Sequence, residues 1–343
     1  MRFSIQLPTC TEGLVNPIPF ARPEDFVRLA QAAEGLGYDA VWGNDHVTAV
    51  PYVRTKWTEP PNFYEVLITL ATVGAHTRRV KLGTAVLVLP LRDPVLLAKQ
   101  VATLDRLTGG RVVLAVGLGA YREEFEAHWP RRAAVRRGEL LDEGLTALRL
   151  LLTARTASHA GAHYAFEKLE LHPKPVQQPF PIYIGGHNEA AVARAARCGQ
   201  GWLPGWRPFD EVRQRTALLR RLTAEAGRDP GEVEAAVQFT LHLGPTPEAA
   251  SARYRATGMV QHRRSLAHSG RDPALAEANN LIGSPQSVGE KIAFLREAGV
   301  DHLCALQFPH DTVGEMLEQM EWFARDVMPA FAKGDARAAR KME

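Results

Sequence analysis

The sequence predicts an α/β protein folded as a closed (β/α)8 barrel, the TIM-barrel architecture, with short insertions at its C-terminal mouth. Three observations carry this expectation. Short apolar runs alternate with amphipathic helical segments along nearly the whole chain, and the runs number eight. The first run leads into Pro8, Thr9 and Cys10, not into the GxGxxG turn that opens a doubly wound dinucleotide-binding sheet. A length of 343 residues suits one barrel domain over 1–333, followed by a polar tail over 334–343.

Residues 2–7 read as the first strand and 23–36 as the first helix, with Pro23 in its first turn and Gly37 closing it. A second strand covers 38–42, and a loop rich in Pro and aromatic residues covers 51–63. A helix over 64–77 then leads to a third strand over 80–85, and a helix over 94–107 to a fourth over 111–116. A long helix over 132–152, a polar hairpin-like insertion over 159–171 and the Pro-rich stretch 173–181 deliver a fifth strand at 182–184. Helix 189–197, strand 201–203, helix 210–226 and strand 233–243 raise the count to seven. Ser284 as N-cap and Pro285 behind it start a helix over 285–298, which precedes the eighth strand over 302–308 and a last helix ending near 331.

Composition excludes several function classes. The chain is 45% hydrophobic and 23% charged, which is that of a globule with ample core. Its 41 basic and 38 acidic residues give a net charge of +3, and the Arg-rich stretches at 131–137 and 263–264 are short and interleaved with apolar positions. They read as solvated helix faces, so no nucleic-acid partner is expected, while the slight excess of positive charge suits an anionic cofactor. Cys10, Cys198 and Cys304 are far apart and lack any CxxC spacing, which argues against disulfides or structural zinc and fits a reducing cytoplasm. No secretory pattern opens the chain and no run approaches the ~18 apolar residues of a membrane span, so no membrane partner is expected.

In a barrel of this kind the reactive groups sit at the C-terminal ends of the strands. Strand two ends in Trp42-Gly43-Asn44-Asp45-His46. A His beside an Asp that fixes its tautomer is one form of general acid/base; the same dipeptide also serves as a cap and a plug. After strand three the apolar stretch 83–90 suits a flat hydrophobic ring, or a longer strand packed under the 51–63 loop. Gly117-Leu118-Gly119 after strand four allows close approach of backbone to a ligand. Gly185-Gly186-His187-Asn188 after strand five opens directly onto a helix, which suits a phosphate on backbone amides and equally a plain tight turn. His159 and His163 are four apart, but Gly161 between them rules out a helical metal pair, and no metal is expected. There is no GxSxG elbow and no Walker loop, and strands seven and eight offer no carboxylate for a glycosidase pair.

Taken in order, AEGLGYDAVWGNDH (33–46), GTAVLVLPLRDPVLLAKQVATLDRLTGGRVVLAVGLG (83–119), PIYIGGHNEAAVARAARCGQGWL (181–203) and the 282–302 segment resemble the luciferase-like oxidoreductases over nearly the whole chain. In detail they are similar to the branch of glucose-6-phosphate dehydrogenases and methylene-tetrahydromethanopterin reductases that use coenzyme F420, although FMN-using monooxygenases share much of the pattern. The resemblance implies a non-prolyl cis peptide at Ala85-Val86 against which the ring rests. It implies that Gly117, Leu118, Gly119 and Glu123 line the ring and ribityl chain, and that Gly185, Gly186, His187, Pro204, Gly205 and Trp206 hold the phosphate end. Asp45-His46 matches a pair whose His is a proton donor or relay. Ala120 stands where the sugar-phosphate dehydrogenases have a carboxylate, which argues against that substrate.

The expected activity is hydride transfer between coenzyme F420 and a small hydrophobic substrate, with His46 handling the proton and Asp45 orienting it. An FMN(H2)-dependent monooxygenase is the alternative, and a non-catalytic flavin-binding relative a third. Tyr52, Trp57 and Phe63, with the stretch 258–280, are the expected lid and specificity elements. A flavin or F420 reductase supplying reduced cofactor and a second copy in a homodimer are the expected protein partners.

Overall fold

The computed structural model describes residues 1–49, 51–265 and 272–331, with the side chains of Tyr52 and Ser265 excepted. The tail expected over 334–343 therefore lies outside the described residues, as does part of the 258–280 lid. Eight parallel strands close into a barrel: Arg2–Leu7, Ala40–Gly43, Lys81–Thr84, Val112–Gly117, Ile182–Gly185, Gly201–Leu203, Glu234–Val237 and His302–Leu306. Strand one pairs with strand two through Ile5 and Val41 and with strand eight through Phe3 and Leu303, and strands three and four pair at Leu82 and Val112, so the ring has no open edge. The strands read as continuous buried runs because helices cover their outer face while side chains fill the interior.

Trp42, Tyr183, Leu203 and Cys304 are among the residues that fill the barrel. Trp42 donates its indole N–H to Ser4 Oγ at 2.8 Å. Its ring occupies the space a side chain on Gly83 would need, since a Cβ there would come within 2.0 Å of it. At the N-terminal floor Glu234 meets Arg2 Nη2 at 2.5 Å, His302 Nδ1 at 2.9 Å and the Tyr183 hydroxyl. Burial alone would raise this carboxyl, but His302, Arg2 and Tyr183 together hold it down at about 2.

The helices begin and end where their terminal residues allow. Asp93 accepts from the N–H groups of Val95 and Leu96 at the start of Pro94–Leu107, Ser284 caps Pro285–Glu297, and Gly37 closes Pro23–Leu36 at φ +85°. Three expected boundaries move. The 51–63 loop contains a short helix, Pro51–Lys56, and the long helix starts at Arg137 after a 3-10 turn at Pro130–Arg132. Strand seven does not run from 233 to 243. Its regular ladder stops after Val237; Phe239 and Leu241 still bond to Gln307 beyond strand eight, and Leu241–Leu243 pairs with Leu281–Gly283. The cause lies in the partners: Thr240 N–H donates to Asn280 Oδ1 at 2.7 Å and its carbonyl accepts from Leu281, so the inserted segment becomes one neighbour of the chain here while Gln307 remains the other.

Above the mouth the loops meet in an apolar cluster of their own. Leu14 and Val15 come from the loop after strand one, Val53 from that after strand two, Tyr121 from that after strand four, and Tyr254 and Met259 from the segment between strands seven and eight.

Candidate active site

His46 stands one turn of chain past strand two, with its side chain 12% exposed, and its ring lies against Phe63 and Tyr121 at centroid separations of 5.6 and 5.9 Å. Its Nδ1 is 3.0 Å from Glu124 Oε2. Glu124 is buried, and its other oxygen accepts from the N–H groups of Val47 at 2.5 Å and Thr48 at 3.4 Å. Burial would raise the Glu124 carboxyl, but His46 and these two N–H groups overcome that and hold it below the ordinary value. Nε2 of His46 meets no hydrogen-bond partner among the described residues and is not sealed from solvent.

The expectation that Asp45 orients His46 is corrected by this geometry. Asp45 makes no hydrogen bond to His46; one of its oxygens accepts from Val88 N–H at 2.9 Å and the other meets Arg92 Nη2 at 2.5 Å. Neighbours in extended chain face opposite ways, so Asp45 and His46 look to different sides. Asp45 is buried, and burial raises its carboxyl despite the opposing pull of Arg92 and the Val88 N–H. Its work is to tie the end of strand two to the segment after strand three. The Ala85 N–H, donating to the Gly43 carbonyl at 2.7 Å, adds a second tie.

Between these ties lies a shelf. Ala85 and Val86 are half-buried in a stretch whose neighbours on both sides are buried, and the peptide joining them is cis. Glycines on the two neighbouring strands make room for it. A Cβ on Gly117 would come within 2.7 Å of Val86 Cγ2 and one on Gly185 within 2.6 Å of Val86 Cγ1, so both glycines seat the Val86 side chain. The void left by Gly185 thus faces Val86. Leu118 and Gly119 are half-buried at the shelf's edge, as are Gly186 and His187 on the other side.

Asn188 caps the helix Glu189–Cys198, its side chain accepting from Ala191 N–H. Pro204 is buried and Gly205 half-buried, while Trp206 is buried beneath Arg263, whose guanidinium lies 5.6 Å from the ring centroid. Trp206 supports this loop from within. Glu123 is exposed, and the inward-facing carboxylate is the next residue, Glu124. A sequence signal for it existed. Tyr121, Glu124 and Phe125 share one helical face at i, i+3 and i+4, and two of the three are aromatic.

Next to the His46 segment a cavity of about 430 Å³ is lined by Val47, Val53, Trp57 and Phe63 on one hand and by Arg54 and Glu59 on the other. Trp57 and Phe63, two of the expected lid residues, therefore border one space; the Tyr52 side chain lies outside the described residues. Trp57 also donates its indole N–H to the Gly13 carbonyl at 3.3 Å. Among the described residues no group of three or more His, Cys, Asp or Glu could hold a metal ion, and no helix is long and apolar enough to cross a membrane.

What the arrangement offers is an apolar shelf for a flat ring, backbone amides on two sides of it, and an imidazole with one nitrogen held by a buried carboxylate and the other open. Known proteins are similar to this chain over nearly its whole length. An F420-dependent glucose-6-phosphate dehydrogenase of Segniliparus rotundus is 28% identical, over 90% of this chain and 93% of its own. An FMNH2-dependent dimethylsulfone monooxygenase of Pseudomonas fluorescens is also 28% identical, over 98% and 96%. The solved structure of a monooxygenase from Streptomyces bottropensis superimposes with a TM-score of 0.79 at 23% identity, covering 97% of this chain and all of that one. The family described as luciferase-like monooxygenase matches residues 1–302, and the chain belongs to that family.

Proposed function

We propose that the chain is an F420-dependent oxidoreductase that passes a hydride between the cofactor at the barrel mouth and a small hydrophobic substrate, with His46 moving the accompanying proton. The observation that carries this reading is the His46–Glu124 pair beside the Ala85-Val86 shelf. When bound, F420 supplies the carbon centre that gives or takes the hydride. The residues present fit such a group: a half-exposed apolar surface of Ala85, Val86 and Leu118 matches a tricyclic ring, and the first amides of the helix at Glu189 suit an anionic arm.

His46 is then a proton carrier at Nε2. Glu124 accepts at Nδ1, which fixes the tautomer and leaves Nε2 to give a proton to a substrate oxygen or take one from it. The cavity bordered by Trp57 and Phe63 has room for a small substrate, with the aromatic side offering an apolar wall and Arg54 and Glu59 a polar one. One barrel domain over 1–333, a homodimer, a reductase that supplies reduced cofactor and a cytoplasmic location belong to the same proposal.

The experiment is a titration with F420 and FMN, each oxidised and reduced, followed by turnover of His46→Ala. Tight binding of F420 and a drop in turnover of ~10²–10⁴-fold with cofactor affinity retained is the expected result. A folded His46→Ala variant with normal turnover would sink the mechanism. A second reading, an FMNH2-dependent monooxygenase, is supported by the equal identity to relatives of both kinds, and tighter binding of FMN would select it.

A further inference from the structure

We propose that Arg137 is a positioning residue which shapes the loop after strand four into a pair of backbone donors for the cofactor. Arg137 opens the helix Arg137–Thr153 and is half-buried. Its Nη1 lies 3.1 Å from the Leu118 carbonyl, 3.0 Å from that of Gly119 and 3.5 Å from that of Tyr121. No carboxylate among the described residues forms an ion pair with it. A half-buried guanidinium spent wholly on carbonyls of one loop is costly unless the loop's shape matters.

The consequence follows from peptide geometry. In a trans peptide the C=O and the N–H point in opposite directions, and the peptides on either side of Gly119 are trans. Carbonyls 118 and 119 converge on Arg137, so the N–H groups of Gly119 and Ala120 face away from it. Neither N–H has an acceptor among the described residues. Gly119 adopts φ +81°, and a Cβ there would come within 2.9 Å of Val88 Cγ1. The loop is thus clamped between Arg137 and Val88, the same Val88 whose N–H is held by Asp45 at the end of the shelf.

Two aligned amides at the edge of an apolar shelf suit an oxygen acceptor, either a ring carbonyl or the phosphate of the side arm. Burial lowers the Arg137 guanidinium from its ordinary value, as does the nearby Arg122, although it stays charged. This inference rests on the reading that a flavin-type cofactor occupies the mouth. Its separate content is that Arg137 acts through the loop, and not by touching the cofactor.

The test is fluorescence titration of wild type, Arg137→Met and Arg137→Lys with FMN and with riboflavin, or, where wild type binds F420 and not FMN, with F420 and its phosphate-free deazariboflavin head in their places, alongside thermal melts on the same preparations. Binding to Arg137→Met is expected to weaken by ~10-fold or more, while Arg137→Lys, which keeps the charge but offers one donor head, recovers part of the affinity. A penalty for FMN alone assigns the amides to the phosphate, and an equal penalty for riboflavin assigns them to the ring. In wild type, FMN must also shift the Gly119 and Ala120 amide NMR signals, which a purely structural arginine would not require. If Arg137→Met melts too early to titrate, the Arg137→Lys titration and these amide shifts decide. Arg137→Met binding FMN as wild type does, or amide signals that stay still, would overturn the inference alone; wild type binding neither FMN nor F420 would remove the cofactor reading beneath it.

Discussion

Replacing Glu124 by Gln separates a working His46 from a packed one, because three donors compete for one side chain. Glu124 accepts from Val47 N–H at 2.5 Å, from Thr48 N–H at 3.4 Å and at His46 Nδ1, 3.0 Å away. The amide of Gln has one oxygen. If that oxygen stays with the two backbone donors, which cannot move, the NH2 group faces Nδ1 and the imidazole must carry its proton on Nε2 instead. The open nitrogen of His46 is then in the wrong tautomer for its proposed task. Turnover should fall by ~10²–10³-fold, within the range of general acid/base loss, while cofactor affinity stays within about twofold because Glu124 does not touch the shelf. The stability cost should be ~1–2 kcal/mol, that of a charge-assisted hydrogen bond exchanged for a neutral one. The assays are steady-state turnover, cofactor titration, a thermal melt and imidazole nitrogen NMR. Normal turnover in a variant whose His46 spectrum shows the changed tautomer would refute the reasoning.

Asp45→Asn should do the reverse. Asp45 accepts on both of its oxygens and Asn has only one, so the new NH2 group must face either Val88 N–H or Arg92; stability should drop by ~2–4 kcal/mol and cofactor affinity should fall, with turnover at saturating cofactor retained; denaturant melts and titration check it. Gly185→Ala should weaken cofactor binding through Val86, since its new Cβ starts 2.6 Å from Val86 Cγ1 and 3.2 Å from the Val116 carbonyl, at a stability cost of ~1–3 kcal/mol by thermal melt. Acid should loosen the inserted segment before it reaches the floor of the barrel. His242 and His310 stack at 4.7 Å, and burial, with Arg253 close to both, lowers them to about 4 and about 3. Their neutral forms are favoured in the fold, so this stability is complete above the unfolded value near 6.5 and is lost as pH falls towards 4 and below. Melts between pH 7 and 4.5 should show the loss, before Glu124 and Glu234, both held low, begin to protonate; a flat profile for wild type, or an unchanged one in His310→Phe, would exclude the pair.

The barrel was readable because parallel strands covered by helices appear as apolar runs of distinctive length, and its caps are local features. Pairing is not local. The 233–243 run carries no mark at Val237 where its regular ladder stops, since what divides it is Asn280 and Leu281, 40 residues on. The short helix Pro51–Lys56 hides among Pro and aromatic residues that read as loop. At the site, His46 and the Ala85-Val86 segment were legible as strand ends. The partner of His46 was not, because adjacency in sequence favours Asp45 while adjacency in space needs the direction of each side chain. At Gly185 the sequence shows that space is needed, and only packing reveals that Val86 takes it.

Relatives naming F420 and relatives naming FMNH2 match this chain at the same identity over at least nine-tenths of its length, so the shared frame cannot be what separates them. The structure indicates where such a choice can be made without disturbing that frame. The barrel interior and the roof are distinct apolar clusters, joined by no common member, so roof residues can change without opening the barrel. The shelf is different: Asp45, Val88, Gly117 and Gly185 bind it to three neighbouring strands, and a change at any of them acts on the others. Selection for a new substrate should therefore move through Trp57, Phe63 and the segment after strand seven. On the proposed placement of the cofactor, a change of cofactor would pass through the amides and apolar surface that Arg137 and Asp45 hold from either end.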